Sequence, residues 1–120
     1  MGKYRIQKVP TGCKFNLLAV NGQIIAVSEI YTTHAACLQG IESVRKNAPI
    51  ANLEDRCIDS VVLQKHPKFE LYRDRAGEFR FRLKARNGEI IAFGEGYTTK
   101  ANCLKGIESI RKNAGSPVEE

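Results

Sequence analysis

Apolar and polar residues alternate along two stretches, 4–9 and 69–74, with the period of two that sends successive side chains to opposite faces of a strand. Each stretch runs into a turn near Gly12 or Gly77 and then into a second alternating stretch, 14–20 and 79–86. Asn21-Gly22 and Asn87-Gly88 follow. Asn-Gly tolerates positive φ at both centres of a type I′ turn, so it predicts a two-residue hairpin loop leading into third strands over 24–30 and 90–96. Beyond Tyr31-Thr32-Thr33 and Tyr97-Thr98-Thr99 the apolar period lengthens to that of a helix. Cys37, Leu38, Ile41, Val44 and Ala48 share one stripe, as do Cys103, Leu104, Ile107, Ile110 and Ala114. A threonine hydroxyl at each helix start is placed to cap it. Gly40 and Gly106 each cost about 1 kcal/mol relative to alanine inside a helix. Their presence predicts that something, a strand or the other helix, approaches the helix backbone closely there.

These elements form a repeat. From Asn21 to Ala48, 20 of 28 positions recur identically 66 residues later, which marks a tandem duplication. Upstream the match slips by one residue, so the first hairpin differs in length between the copies. The predicted organisation is a first β-β-β-α unit at 1–48, a connector at 49–67, a second unit at 68–114 and an acidic tail at 115–120. The predicted class is α+β: two repeats related by pseudo-two-fold symmetry, with an antiparallel sheet packed on helices.

The turn register assigns faces. Phe81, Leu83, Ala85, Ile90 and Ala92 share a helix-facing side with Phe69 and Leu71. Arg80, Arg82, Lys84, Ile91, Phe93 and Glu95 look outward in the second copy, and Lys14, Asn16, Leu18, Ile25, Val27 and Glu29 in the first. Leu18, Ile25 and Val27 are too apolar for water. They are expected to pack against the other copy, the connector or a second chain, which makes them a candidate interaction face. The connector is long and carries its own apolar run, Val61-Val62-Leu63, so an ordered added strand or a strap across the sheet is expected.

The run Lys68-Phe69-Glu70-Leu71-Tyr72-Arg73-Asp74, then Gly77 to Ala85, Asn87-Gly88-Glu89-Ile90-Ile91-Ala92, Gly96-Tyr97-Thr98 and Gly106-Ile107-Glu108-Ser109-Ile110 resembles the YegP-like family of small bacterial and archaeal proteins. The resemblance spans nearly the whole chain in two copies. The first copy departs from it at Val9-Pro10-Thr11-Gly12-Cys13. It implies paired β-β-β-α repeats in a compact α+β fold, and it implies no activity, catalytic residue or cofactor.

Composition narrows the chemistry. No apolar run reaches the roughly 18 residues of a membrane span, and the first residues lack a signal-peptide core, so a cytoplasmic protein is expected. The four cysteines show no zinc-ligand spacing and read as small buried hydrophobes. His34 and His66 are not repeated, and no nucleophile elbow, phosphate loop or metal-binding helix motif occurs. The expectation is no enzyme, no catalytic residue, no metal and no cofactor. Glu29-x-Tyr31-Thr32 and Glu95-x-Tyr97-Thr98 do repeat. Either they form a symmetric ligand site, or each glutamate pairs across the strand to Lys14 or Arg80 while the tyrosine acts as a lid. The net charge of +6 brings in the row Arg80, Arg82, Lys84, Arg86, which with Phe93 is a candidate nucleic-acid surface for RNA or single-stranded DNA. The structural alternative pairs Arg80 with Glu95 and Arg86 with Glu89. The favoured function is a non-catalytic interaction or structural module, through a protein partner or self-association as a dimer, with nucleic-acid binding as the competing reading.

Overall fold

The structure is a computed structural model that describes residues 2–119. Strands β1 (Lys3–Val9), β2 (Gly12–Leu18) and β3 (Ile24–Val27) lead into helix α1 (His34–Asn47); β5 (Lys68–Arg73), β6 (Phe79–Lys84) and β7 (Ile90–Phe93) lead into α2 (Lys100–Asn113). A short 3-10 turn (Ala48–Ile50) and strand β4 (Asn52–Asp55) follow α1, and strand β8 (Val118–Glu119) follows α2. All eight strands form one sheet in the order β4-β5-β6-β7-β3-β2-β1-β8. The copies meet at its centre, where Val27 of β3 pairs with Phe93 of β7.

Two expectations need correction. The sheet is not wholly antiparallel, because β4 runs parallel to β5 and β8 parallel to β1. Each of these edge strands follows the helix of one copy and adds to the first strand of the other. The Asn-Gly loops are also not two-residue type I′ turns. Only the glycines have positive φ, Gly22 at 83° and Gly88 at 85°. The Ala19 N–H donates to Gln23 O, and the Gly22 N–H donates back to Ala19 O. That is a three-residue loop, a type I turn closed by a glycine bulge. The asparagine serves through its side chain instead: Asn21 Oδ1 accepts from the Gln23 N–H and Asn87 Oδ1 from the Glu89 N–H, both at 3.0 Å.

The longer loop shifts the register by one residue, so Lys84 opposes Ile90 instead of Ile91. A bulge then absorbs the extra residue and restores Leu83 opposite Ala92. Ile25 and Ile91, expected on the outer face, are drawn into the core beneath the helices, while Ile90 takes the place opposite outward-facing Lys84. In the first hairpin Pro10 and Thr11 alone link the strands, whereas Arg75, Ala76 and Gly77 do so in the second.

The core is the helix-facing side of the sheet: Tyr4, Phe15, Leu17, Phe69, Leu71, Phe81 and Leu83 beneath Cys37, Ile41, Val44, Cys103, Ile107 and Ile110. Thr33 and Thr99 cap the helices, their hydroxyls accepting from the Ala36 and Asn102 N–H groups at 3.0 and 3.2 Å. The helical glycines admit a tyrosine of the same copy: a Cβ at Gly40 would collide with the Tyr31 phenol, and one at Gly106 with that of Tyr97.

Arginines fasten the crossing segments. Arg111 of α2 lies over the Phe69 ring, 5.0 Å from its centroid, and donates to Ala48 O at 3.2 Å and Ala51 O at 2.8 Å. Arg45 of α1 lies over Tyr4 at 5.5 Å and donates to Ser116 O at 2.7 Å. Each helix thus holds the segment that leaves the other. Replacing Gly88 with valine should cost more than about 1 kcal/mol, because a β-branched residue is strained at positive φ. Arg111→Met should cost about 1–3 kcal/mol, chiefly through the Ala51 carbonyl that loses its donor. Denaturant midpoints measure both, and wild-type values would contradict the turn and the clasp.

Candidate functional site: a charged sheet face and two clefts

Among the described residues no helix covers the outer face of the sheet, and one row of paired residues crosses all of it. From edge to edge it runs Glu54, Glu70, Arg82, Phe93, Val27, Asn16, Arg5, Glu119. Phe93 and Val27 at its middle are half-buried. Leu18 and Ile25 are buried within the chain, 4% and 7% exposed, so of the three apolar residues singled out in the first copy only Val27 contributes to the open surface.

The basic row is tied down by carboxylates of its own repeat. Arg80 Nε sits 2.6 Å from Asp74, Arg82 Nε 2.5 Å from Glu70 and Lys84 Nζ 3.3 Å from Glu70. The expected pairs Arg80–Glu95 and Arg86–Glu89 do not form; the partners come from β5 and its turn, not from across the Asn-Gly hairpin. Arg86 stays exposed with no ion pair among the described residues. The sequence reading missed that Glu70 opposes Arg82 in the first hairpin of the repeat; strand register outward from Gly77 carried that signal.

Glu70 belongs to a larger cluster. Glu54 is fully buried, with Lys68 Nζ 2.8 Å and Arg56 Nη1 2.6 Å away, and Lys68 also lies 3.3 Å from Glu70. The connector roofs it: the Gln64 N–H donates to Glu54 Oε1 at 2.7 Å, and Asn52 Nδ2 to Lys65 O at 2.9 Å. Burial pushes the Glu54 carboxyl up, but the donors Lys68, Gln64 and Arg56 outweigh it and bring it down to about 2. Glu70 is likewise held low, burial being overcome by Arg82 and Lys84. Between these anchors the connector lifts Ile58, Val62 and Leu63 into solvent, 48%, 67% and 74% exposed.

On the helix side the two Asn-Gly hairpins lean across the other copy's helix and leave two related clefts. One, of ≈ 440 Å³, lies between the β2–β3 hairpin and α2 and includes Tyr97 and Glu95; the other, of ≈ 200 Å³, lies between the β6–β7 hairpin and α1 and includes Tyr31 and Glu89. Glu29, the counterpart of Glu95, is exposed and lies outside the lining of the smaller cleft. His34 is exposed at the start of α1.

Nucleophilic chemistry finds little support. Burial first, and Cys13 or Cys57 nearby second, push the thiols of Cys37 and Cys103 up to about 11, which keeps them protonated and inert. Among the described residues no group of histidine, cysteine and carboxylate side chains is arranged to hold a metal ion, and no helix is long and apolar enough to cross a membrane.

A family model described as a domain of unknown function, DUF1508, matches residues 12–55 and 74–120. The chain belongs to the DUF1508 family. The UPF0339 protein YegP of Yersinia pestis is 34% identical over 119 residues, covering 98% of this chain and 93% of its own. A UPF0339 protein of Treponema denticola is 68% identical over 47 residues, which are 39% of this chain but 81% of the relative. The solution structure of yegP from E. coli, described as a protein of unknown function, superposes with a TM-score of 0.79 at 31% identity, over 98% of this chain and 90% of that one.

Because Glu54 and Glu70 titrate lower in the folded chain than in the unfolded one, their stabilisation is complete above the unfolded value of about 4.3. It is lost as the pH falls towards the folded value of about 2 for Glu54. Stability should therefore stay level from neutral pH to about 5 and drop steeply below 4. Lys68→Met should cost about 3–5 kcal/mol at pH 7 by leaving buried carboxylates short of a partner, and lowering the pH should recover part of that loss. Thermal melts across pH check both.

Proposed function

We propose that this chain is a non-catalytic interaction module of the cytoplasm, built from two pseudo-two-fold copies, which binds a protein partner or a second copy of itself through the apolar crest of its connector. The observation that carries this reading is the exposure of Val62 and Leu63, 67% and 74%, on a segment fixed at both sides of its loop. Glu54 and Asn52 hold Gln64 and Lys65, so the crest is presented by an ordered strap. Rigid presentation lowers the ordering cost of association, and burying two such side chains is worth roughly 1.5–3 kcal/mol each. The self-copying strand order, in which exchanging β1 with β5, β2 with β6, β3 with β7 and β8 with β4 restores the sequence of strands, supports the two-fold part.

Nucleic-acid binding through Arg80, Arg82, Lys84, Arg86 and Phe93 is the second reading. Three of its four cations are already neutralised within the chain. What favours it is exposed Arg86, together with half-buried Phe93 on the uncovered face.

Light scattering and affinity capture after nuclease treatment separate the readings. The double variant Val62→Ser/Leu63→Ser should keep its melting temperature and lose at least about tenfold in self-association or partner binding. A wild type that stays monomeric and captures only nuclease-sensitive material would overturn the proposal. In that event Arg82→Gln/Lys84→Gln should flatten the salt dependence of RNA binding by about one to two units.

A further inference from the structure

The two clefts descend from the same repeated residues yet differ in charge. Each is floored by a tyrosine lying on a helical glycine, Tyr97 on Gly106 and Tyr31 on Gly40. Neither phenol oxygen has a hydrogen-bond partner among the described residues. Burial raises the Tyr97 phenol above its ordinary value, so at neutral pH it is a protonated hydroxyl, lining the cleft and not committed to any partner in the described chain. In the larger cleft this donor stands with Lys105 and Asn102 of α2, with Glu95, with Gln23, and with an apolar wall provided by Ile25. The corresponding positions of the smaller cleft are Gln39 for Lys105, Ala36 for Asn102 and Glu89 for Gln23. The larger cleft therefore holds one cation and one carboxylate, whereas the smaller holds a carboxylate and no cation.

That pairing restricts the ligand. A simple anion attracted by Lys105 would face Glu95, and a simple cation attracted by Glu95 would face Lys105. A molecule carrying both charges satisfies both. The volume, ≈ 440 Å³, is at the small end of ligand sites.

We propose that the cleft between the β2–β3 hairpin and α2 binds a small zwitterion, a free amino acid or dipeptide with an apolar side chain. Its carboxylate is taken by the Tyr97 hydroxyl, Lys105 and the Asn102 amide, its ammonium by Glu95, and its side chain lies against Ile25. The smaller cleft does not take this ligand, because its lining offers a carboxylate, Glu89, and no lysine or asparagine at the positions of Lys105 and Asn102. The site lies on the helix side of the sheet, away from the connector crest, and stands or falls independently of partner binding there.

The test is an amide-resolved NMR titration of the full chain with glycyl-L-valine, alongside its N-acetylated and C-amidated forms. The expected result is saturable shifts at Gln23, Tyr97, Asn102 and Lys105 with a single affinity. Tyr97→Phe keeps the ring on Gly106 and Lys105→Gln changes an exposed side chain, so both variants should fold, and each should weaken binding by about three- to tenfold. Tyr31→Phe should leave the affinity unchanged, and either blocked form of the probe should bind at least about tenfold more weakly. Shifts spread equally over both clefts, no saturation at millimolar probe, wild-type affinity in Tyr97→Phe and Lys105→Gln, or equal binding of the blocked probes would each overturn the assignment.

Discussion

Two short parallel strand pairs determine how this chain closes. The first strand of each copy would be a bare edge within its own unit, and bare edges recruit further strands. Here β1 receives β8 and β5 receives β4, each from the segment beyond the other copy's helix. The central β3–β7 contact rests on a single paired position, so the exchange at the rims and the helical arginines that clasp it bind the halves together. Arg111 and Arg45 each combine an aromatic face, which desolvates the guanidinium, with backbone carbonyl acceptors from the segment leaving the other helix.

The outer face shows the same chemistry turned to another end. Charged residues facing outward on a strand suggest contact with a charged partner. In the second copy that demand is met internally, since Glu70 receives Arg82, Lys84 and Lys68. Once Glu54 and Glu70 are buried, their partners become obligatory, because an unpaired interior carboxylate costs several kcal/mol. The connector is part of this arrangement. Its N–H at Gln64 is one of the donors that keep Glu54 charged, which ties the position of the exposed apolar crest to an ionic cluster under it.

The helices, their threonine caps and the strand pairings away from the turns were legible in the sequence, because period and repetition reinforce each other there. The Asn-Gly loop was misread by one residue: the dipeptide fits both a type I′ turn and the last two positions of a bulged three-residue loop, and local sequence does not separate them. That one residue exchanged the faces of Ile90 and Ile91 and drew Ile25 inward, while Ala92 and Phe93 kept their faces because the bulge cancels the slip. Gly40 and Gly106 signalled a close neighbour, expected as a strand or the other helix; the neighbour is instead the tyrosine side chain nine residues upstream in the repeat itself. The clefts were invisible to sequence reasoning, for they join a hairpin of one copy to a helix of the other. The added strand expected in the connector is β4, but its parallel pairing and the whole of β8 escaped for the same reason. Strands of four and two residues carry little or no period, and their place depends on where the other copy's edge lies.

The exchange of edge strands also bears on how such a duplication can age. Once each half is finished by a strand from beyond the other's helix, removing one half bares the survivor's first strand, an edge that only a strand from a second chain could then cover. Positions that the exchange does not use are free to differ between the copies. Gln39 against Lys105, Ala36 against Asn102 and Gln23 against Glu89 are such positions, and they line the clefts. The duplication keeps its two frames locked in shape and leaves the two cavities to diverge, so that one ancestral surface can come to serve two chemistries inside a single chain.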